Sequence, residues 1–261
     1  MTKYHRAIYP KKALGQHFLK DFSIAQKIAA TISCCPSLPV LEIGPGSGIL
    51  TRFLLENKRD LKVVEIDSES VHYLKRHYPE LNGRIIEEDF LSLDLDSQFP
   101  ESFCVIGNYP YSISSQILFK VLAHKNRIPC CTGMLQKEVA ERLASLPGKK
   151  SYGIITVLLQ AWYTIEYLFT VEPEVFDPPP QVKSAVIRMI RNSRTELECD
   201  EVLFQTLVKT AFNQRRKTMR NSLKVLLGKD NPLFNHPIFN QRPEQLSVEE
   251  FIELTRMIQD Q

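Results

Sequence analysis

No apolar run in this chain approaches the ~18 residues that a membrane-spanning helix needs. The apolar-rich uncharged stretch Ser151 to Ile165 is too short and holds Gln160, which excludes a transmembrane segment there. The first residues, Met1-Thr-Lys-Tyr-His-Arg6, lead into Lys11-Lys12 with neither an apolar core nor a small-residue cleavage site. No secretory signal is read there, and a cytoplasmic chain is expected. Cysteine is scarce: the six fall as Cys34-Cys35, Cys104, Cys130-Cys131 and Cys199, with no C-x-x-C pair and no histidine at ligand spacing. That pattern predicts reduced thiols and no metal site. There is no internal repeat. With 43% apolar and 24% charged residues over 261 positions, the composition excludes disorder and can bury a core without staples.

Acid is missing from two places. Residues 1–20 carry five bases (Lys3, Arg6, Lys11, Lys12, Lys20) and residues 209–229 carry seven (Lys209, Arg215, Arg216, Lys217, Arg220, Lys224, Lys229), with no acid in either stretch. Removing these twelve leaves 21 bases against 30 acids. Two basic stretches on an acidic body suit a phosphate backbone, where each neutralised phosphate releases counterions; the plainer alternative is a pair of solvated faces.

From residue 38 to about 135, short runs rich in β-branched residues alternate with helix-compatible stretches, the pattern of a parallel sheet covered by helices. The predicted strands are Pro39–Ile43, Leu61–Ile66, Arg84–Glu88, Phe103–Gly107 and Pro129–Leu135. Helices are expected near 22–33, 49–57, 68–77, 113–123 and 136–145. Beyond Gly153 come an apolar helix, the β-rich run Tyr163–Val171, a proline-stiffened loop Phe176-Asp-Pro-Pro-Pro180, and an alternating run Val182–Ile190 expected to pair antiparallel. From about 195 the pattern is helical only, the last helix opening on the capping box Ser247-x-x-Glu250. The polar stretch Asn192–Asp200 sets a domain boundary, giving 1–194 and 195–261.

The first motif is Val40-Leu-Glu-Ile-Gly44-Pro-Gly46-Ser-Gly48, a strand entering a glycine turn and then a helix. Glycines let the backbone approach a ligand closely. A dinucleotide fingerprint needs a third glycine where Ile49 stands, so NAD is disfavoured. The E-x-G-x-G-x-G form resembles instead the cofactor loop of S-adenosylmethionine-dependent methyltransferases. Glu65, at the end of the second strand, is placed to accept from ribose hydroxyls, and Asp89, after the third, from an adenine amine. Directly after the fourth strand, Gly107-Asn108-Tyr109-Pro110-Tyr111 resembles the Asn-x-Pro-aromatic motif of methyltransferases acting on nucleobase amines. Pro110 biases Tyr109 to an extended backbone, so the Tyr109 carbonyl and the Asn108 side-chain oxygen can face one amine. Two acceptors drawing on its protons return lone-pair density to the nitrogen as it attacks a methyl group. Tyr111 offers a ring for stacking an unstacked base. Phe176 either closes the other face of that base or fills the core beneath its loop. Lys11 to Leu19 reads as a lid, and on the predicted helix around Arg215, Arg216, Lys217 and Arg220 some bases should meet RNA phosphate while others pair internally.

Gly15-Gln-His-Phe-Leu19, the glycine loop, Gly107-Asn-Tyr-Pro-Tyr111, Met134-Leu-Gln-Lys-Glu138, Phe176-x-Pro-Pro-Pro180 and Phe212-Asn-Gln-Arg-Arg-Lys-Thr-x-Arg-Asn-Ser222 together resemble the ribosomal RNA small-subunit adenine dimethyltransferases of the KsgA (RsmA) type, over nearly the whole chain. The resemblance implies an α/β Rossmann-like methyltransferase sheet followed by a small all-helical RNA-binding domain. It further implies S-adenosylmethionine as cofactor and dimethylation of two adjacent adenines in the 3′-terminal hairpin loop of 16S rRNA. The substrate would be the immature small ribosomal subunit, and the enzyme a monomer without metal. His17, Leu19, Gly44, Gly46, Glu65, Asp89 and Asn108 are then the expected cofactor contacts, and Lys11, Lys12, Arg215, Arg216, Lys217 and Arg220 the RNA contacts. His17 replaces the commoner asparagine of the family's lid, and Tyr109 stands where leucine, isoleucine or phenylalanine is commoner. The alternatives are the related large-subunit enzyme of macrolide resistance, and an assembly factor acting mainly by binding.

Overall fold

The computed structural model describes residues 8–11 and 14–261. Its strands are β1 (Phe18–Leu19), β2 (Val40–Ile43), β3 (Leu61–Val64), β4 (Ile85–Ile86), β5 (Cys104–Asn108), β6 (Cys130–Gln136), β7 (Tyr163–Val171), β8 (Phe176–Asp177) and β9 (Ser184–Arg191). Seven form one sheet in the order β4-β3-β2-β5-β6-β9-β7. The strands from β4 to β6 run parallel, and β9 joins β6 antiparallel, from Cys130 opposite Ile190 to Gln136 opposite Ser184. This is the α/β Rossmann-like architecture expected from the sequence. β2 is buried at every residue, as a strand covered on both faces must be. β1 and β8 make a separate two-stranded ribbon, Leu19 opposite Phe176.

Side-chain caps fix where the helices begin. Asp21 accepts from the amides of Ser23 and Ile24 to open Phe22–Ala30, Asp67 accepts from Glu69 to open Ser68–His77, and Asp200 accepts from Leu203 to open Glu201–Asn213. The box at Ser247 and Glu250 is closed in both directions and opens Val248–Gln259.

The chain divides into two compact units. One runs to Ala140 and resumes over Glu166–Arg191; the other joins Glu141–Ile165 to Asn192–Gln261. The second break falls between Arg191 and Asn192, and the segment 141–165 groups with the helical unit, where Ile154–Gln160 packs on Glu201–Asn213 and Tyr152 lies against Phe212. In that unit the helix ends at Asn213, and residues 214–217 form a turn. Arg215, Arg216 and Lys217 therefore sit in a turn and not on the expected helix. Among the described residues no helix is long and apolar enough to cross a membrane.

Candidate active site

The strand order reverses between β2 and β5, since the chain proceeds from β2 outward to β3 and β4 and then returns to β5 and β6. At such a switch point the loops beyond the carboxyl ends of the strands diverge and leave a crevice. A cleft enclosing about 1050 Å³, mouth included, opens there. Its walls hold Gly44 and Gly46 after β2, Glu65 and Ile66 after β3, Asp89 and Leu91 after β4, and Asn108 to Ile113 at the end of β5, with Leu14 to Phe18 across the mouth. His17, Gly44, Gly46, Glu65, Asp89, Asn108, Tyr109, Pro110 and Tyr111 are thereby brought together.

Gly46 has φ +54°, and a Cβ there would lie 2.8 Å from the Phe18 ring, so the lid seats on bare backbone. The Glu65 carboxylate accepts from the Gly46 amide at 3.0 Å and from the Asp67 amide at 3.0 Å. Burial raises its pKa above the ordinary carboxylate range, and these two amides oppose the rise. Asp67 in turn takes the Lys11 ammonium at 2.6 Å, with Glu69 at 3.1 Å from the same nitrogen. Burial works against ionised Asp67, but the bonds from Lys11 and Ser70 outweigh it and lower its pKa. Lid, glycine loop and strand-end acid are thus joined through two carboxylates. Lys11 is engaged within the protein, so the structure does not leave it as the free RNA contact expected; Lys12 lies outside the described residues.

Asn108 Nδ2 donates to the His17 carbonyl at 3.0 Å. That bond fixes the amide plane and leaves Oδ1 at the other end of the group to accept. The Tyr109 amide donates to the Met134 carbonyl at 2.9 Å, anchoring the next peptide to β6. Its side chain is more than a bystander: it is fully buried, and its hydroxyl donates to the Thr132 carbonyl at 2.7 Å. Gly133 makes the room, since a Cβ there would fall 2.6 Å from the ring. Tyr111 is pinned by its hydroxyl to Ser184 Oγ at 2.5 Å and stacked on one face by His17, with ring centroids 5.5 Å apart and planes 25° apart. The His17 Nδ1 lies 2.7 Å from the Pro178 carbonyl, leaving Nε2 as the ring atom open to a ligand.

Two expected residues are not on the cleft wall. Phe176 is 0% exposed, in the core cluster with Leu19, Val171 and Val186, so its ring cannot reach a base without unpacking the ribbon. Leu19 is buried beside it for the same reason. Arg220 is engaged by the Phe234 carbonyl, and Arg215 by the Lys149 carbonyl at 3.2 Å and by Glu244 at 3.9 Å. Arg216 and Lys217 are exposed.

Sequence reasoning missed one residue of the wall and one that holds a wall loop in place. Ile66 is 54% exposed at the cleft, an apolar surface that stood out only as the last residue of an expected strand. Lys120, on helix Ser114–Ala123, donates to the carbonyls of Phe90 at 2.7 Å, Leu91 at 2.9 Å and Leu93 at 2.5 Å, and its ammonium lies 5.1 Å from the Phe90 ring centroid. Desolvation lowers its pKa, while Asp89, Glu88 and Asp94 pull the other way. It therefore sets the shape of the loop that carries Asp89. In sequence it looks like any basic residue in a last helical turn.

A nucleoside with an amino-acid tail fits this donor and acceptor set: two carboxylates at successive strand ends, an apolar side at Ile66 and Leu91, and bare glycine backbone between them. The comparisons with known proteins agree. The family described as ribosomal RNA adenine dimethylase matches residues 9–260. The ribosomal RNA small subunit methyltransferase A of Parabacteroides distasonis is 68% identical over 254 residues, covering 97% of this chain and 96% of that protein. Its namesake in Cytophaga hutchinsonii is 55% identical over 250 residues, covering 95% and 96%. Among solved structures, a dimethyladenosine transferase from Plasmodium falciparum superposes with TM-score 0.81 at 25% identity, over 94% of this chain and 98% of that one. The 23S rRNA methyltransferase ErmE does so with TM-score 0.69 at 27% identity, over 92% and 99%. The chain belongs to the ribosomal RNA adenine dimethylase family.

Proposed function

We propose that this protein uses S-adenosylmethionine to dimethylate the 6-amino groups of two adjacent adenines in the 3′-terminal hairpin loop of 16S rRNA, within the immature small ribosomal subunit. When bound, the cofactor supplies a methyl group made electrophilic by its sulfonium. Glu65 accepts from the ribose hydroxyls while Gly46 and Asp67 hold its carboxylate in place. Asp89, with Oδ1 already accepting from the Leu91 amide at 2.9 Å, presents its other oxygen to the adenine amine of the cofactor. Asn108 Oδ1 and the Tyr109 carbonyl accept from the target amine, which sharpens its lone pair for attack. No strong base is required, because the amine proton becomes acidic only as the methyl bond forms and can then pass to solvent. Tyr111, which lines the cleft with one face of its ring against His17, stacks the base swung out of its helix on the other. Arg216 and Lys217, exposed in the turn after Asn213, meet RNA phosphate.

The observation that carries this reading is the Asn108 amide, oriented by His17 on the cleft wall. The small-subunit substrate is favoured over the large-subunit one because relatives at 55–68% identity bear the small-subunit name, whereas ErmE stands at 27%. Tritiated S-adenosylmethionine and small subunits lacking the modification, followed by nucleoside analysis, test it. Dimethyladenosine in 16S rRNA is expected; label appearing only in large-subunit RNA would overturn the substrate assignment.

A further inference from the structure

The opposite edge of the sheet holds a group of side chains that the reaction does not use. Cys34 and Cys35 lie in the turn that follows helix Phe22–Ala30, where the Cys35 amide donates to the Ile32 carbonyl. Cys104 and Cys130 are the first residues of β5 and β6 and sit opposite each other in the parallel register, hence on one face of the sheet. Cys131 alternates to the other face, where its sulfur lies 3.3 Å from the Tyr109 hydroxyl. In sequence these cysteines have no ligand spacing; the register brings them together.

The sulfurs of Cys34, Cys35 and Cys130 all lie within 4.8 Å of one another, with Cys34 and Cys130 3.8 Å apart. Cys104 stands opposite Cys130 in the register and lies in electrostatic range of both Cys35 and Cys130. A zinc ion bound at ~2.3 Å by tetrahedral thiolates separates its sulfurs by about 3.8 Å, so the Cys34–Cys130 edge is already at length and the other two edges of this trio need contractions of about an ångström or less, with Cys104 to be drawn in from its place opposite Cys130. Two guanidinium groups stand in electrostatic range, Arg59 of Cys104, and Arg188 of Cys34 and Cys130. Arg59 is held by the Cys35 and Leu38 carbonyls at 2.6 and 3.0 Å, and its buried Nε has no hydrogen-bond partner. Arg188 donates to the Thr31 carbonyl at 3.4 Å and also pairs with Glu166. Four thiolates around a divalent ion carry two negative charges, which these cations offset in a site otherwise short of polar groups. Cys34 is exposed and gives the ion a way in, while Cys104 and Cys130 are buried and close the site behind it.

We propose that Cys34, Cys35, Cys104 and Cys130 form a closed thiolate site for one thiophilic divalent ion of the zinc type, tying the turn after helix Phe22–Ala30 to the amino ends of β5 and β6. Each thiol loses its proton to solvent as its sulfur takes up the metal. Soft thiolates select zinc over magnesium or calcium, and a site with no open position is structural, not catalytic. The inference rests on the thiol geometry and is independent of the methyltransferase reading.

The test uses the full-length, reduced, metal-free protein titrated with cobalt(II). One equivalent is expected to produce thiolate-to-cobalt charge-transfer and tetrahedral d–d bands, which one equivalent of zinc then bleaches. Cys34→Ser and Cys130→Ser should lose these bands, whereas Cys199→Ser, remote in sequence and outside the cluster, should keep them. Should Cys130→Ser fail to fold, alkylation of the unaltered protein decides: zinc should slow iodoacetamide labelling of Cys34 at least tenfold. Absent bands, unaltered labelling, bands that survive Cys34→Ser, or a Cys34–Cys130 disulfide formed by mild peroxide with zinc present would each overturn the proposal.

Discussion

The two edges of the central sheet differ in how completely their polar groups are satisfied. At the carboxyl edge, Glu65, Asp89 and Asn108 are each held by one or two bonds that fix the group yet leave an oxygen able to accept more. At the amino edge, buried Cys104 and Cys130 and half-buried Cys35 meet mainly one another, with two arginines nearby. Groups oriented but incompletely bonded are ready for a ligand that comes and goes; groups gathered and enclosed suit a partner that stays. Changes at the first edge should alter turnover while leaving the fold intact, and changes at the second should do the reverse.

Substitutions at the carboxyl edge sharpen the comparison most. Tyr111→Ala is expected to reduce methyl transfer at least tenfold with small-subunit binding retained, since a stacked base is worth about 1–3 kcal/mol. Comparing initial rates with filter binding would show this, and unchanged transfer would reject the stacking role. Next is Lys120→Met, which removes one cation from three loop carbonyls. A charged hydrogen-bonding group lost from such a loop costs about 1.5–3 kcal/mol, so KM for S-adenosylmethionine should rise about tenfold or more while kcat changes little. Equal loss in kcat would show that the loop carries more than the cofactor.

Smaller effects are expected farther out. Replacing both Arg216 and Lys217 by Ala should lower the slope of log binding against log salt by roughly two contacts' worth, while Arg215→Ala, whose partners are Lys149 and Glu244, should barely change it. The reverse ranking would mean that the turn refolds on RNA. Glu42, buried in β2 with its carboxylate accepting from Thr51 Oγ1 at 2.7 Å, has its pKa pushed up to about 8, first by burial and then by Glu65, against the Thr51 bond. The unfolded chain ionises near the ordinary value, so the folded state holds the extra proton between the two. The stability this confers is complete below that ordinary value and is lost as pH rises towards 8. Glu42→Gln should therefore resemble the unaltered protein near pH 5 and exceed it near pH 9 by a few kcal/mol at most, read from melting curves at both. Parallel curves at the two pH values would assign the proton elsewhere.

The parallel sheet was legible because each strand is a short β-branched run bounded by turn residues, and β2, β3 and β5 begin or end within two residues of the expected bounds. The convergence of Gly44, Gly46, Glu65, Asp89 and Asn108 on one cleft was legible for a related reason: they stand at the ends of successive strands, and the topology places those ends together. What failed was non-local. Phe176 and Phe18 are both aromatics in polar, proline- or glycine-bearing segments, yet Phe18 lines the cleft while Phe176 is buried by pairing across more than 150 residues. Lys11, read as a free base, is engaged by acids 56 and 58 residues away. The thiol group depends on the β5–β6 register, which no cysteine spacing encodes.

The central claim is that the Asn108 oxygen activates the target amine. Single-turnover methylation of unmodified small subunits by Asn108→Ala, with S-adenosylmethionine affinity measured alongside, tests it most directly. Removing a preorganised polar group of this kind costs about 10²–10³ in rate, so transfer should fall by that factor while cofactor affinity falls far less. Transfer within a few-fold of the unaltered protein, or a loss accounted for by cofactor affinity alone, would contradict the account.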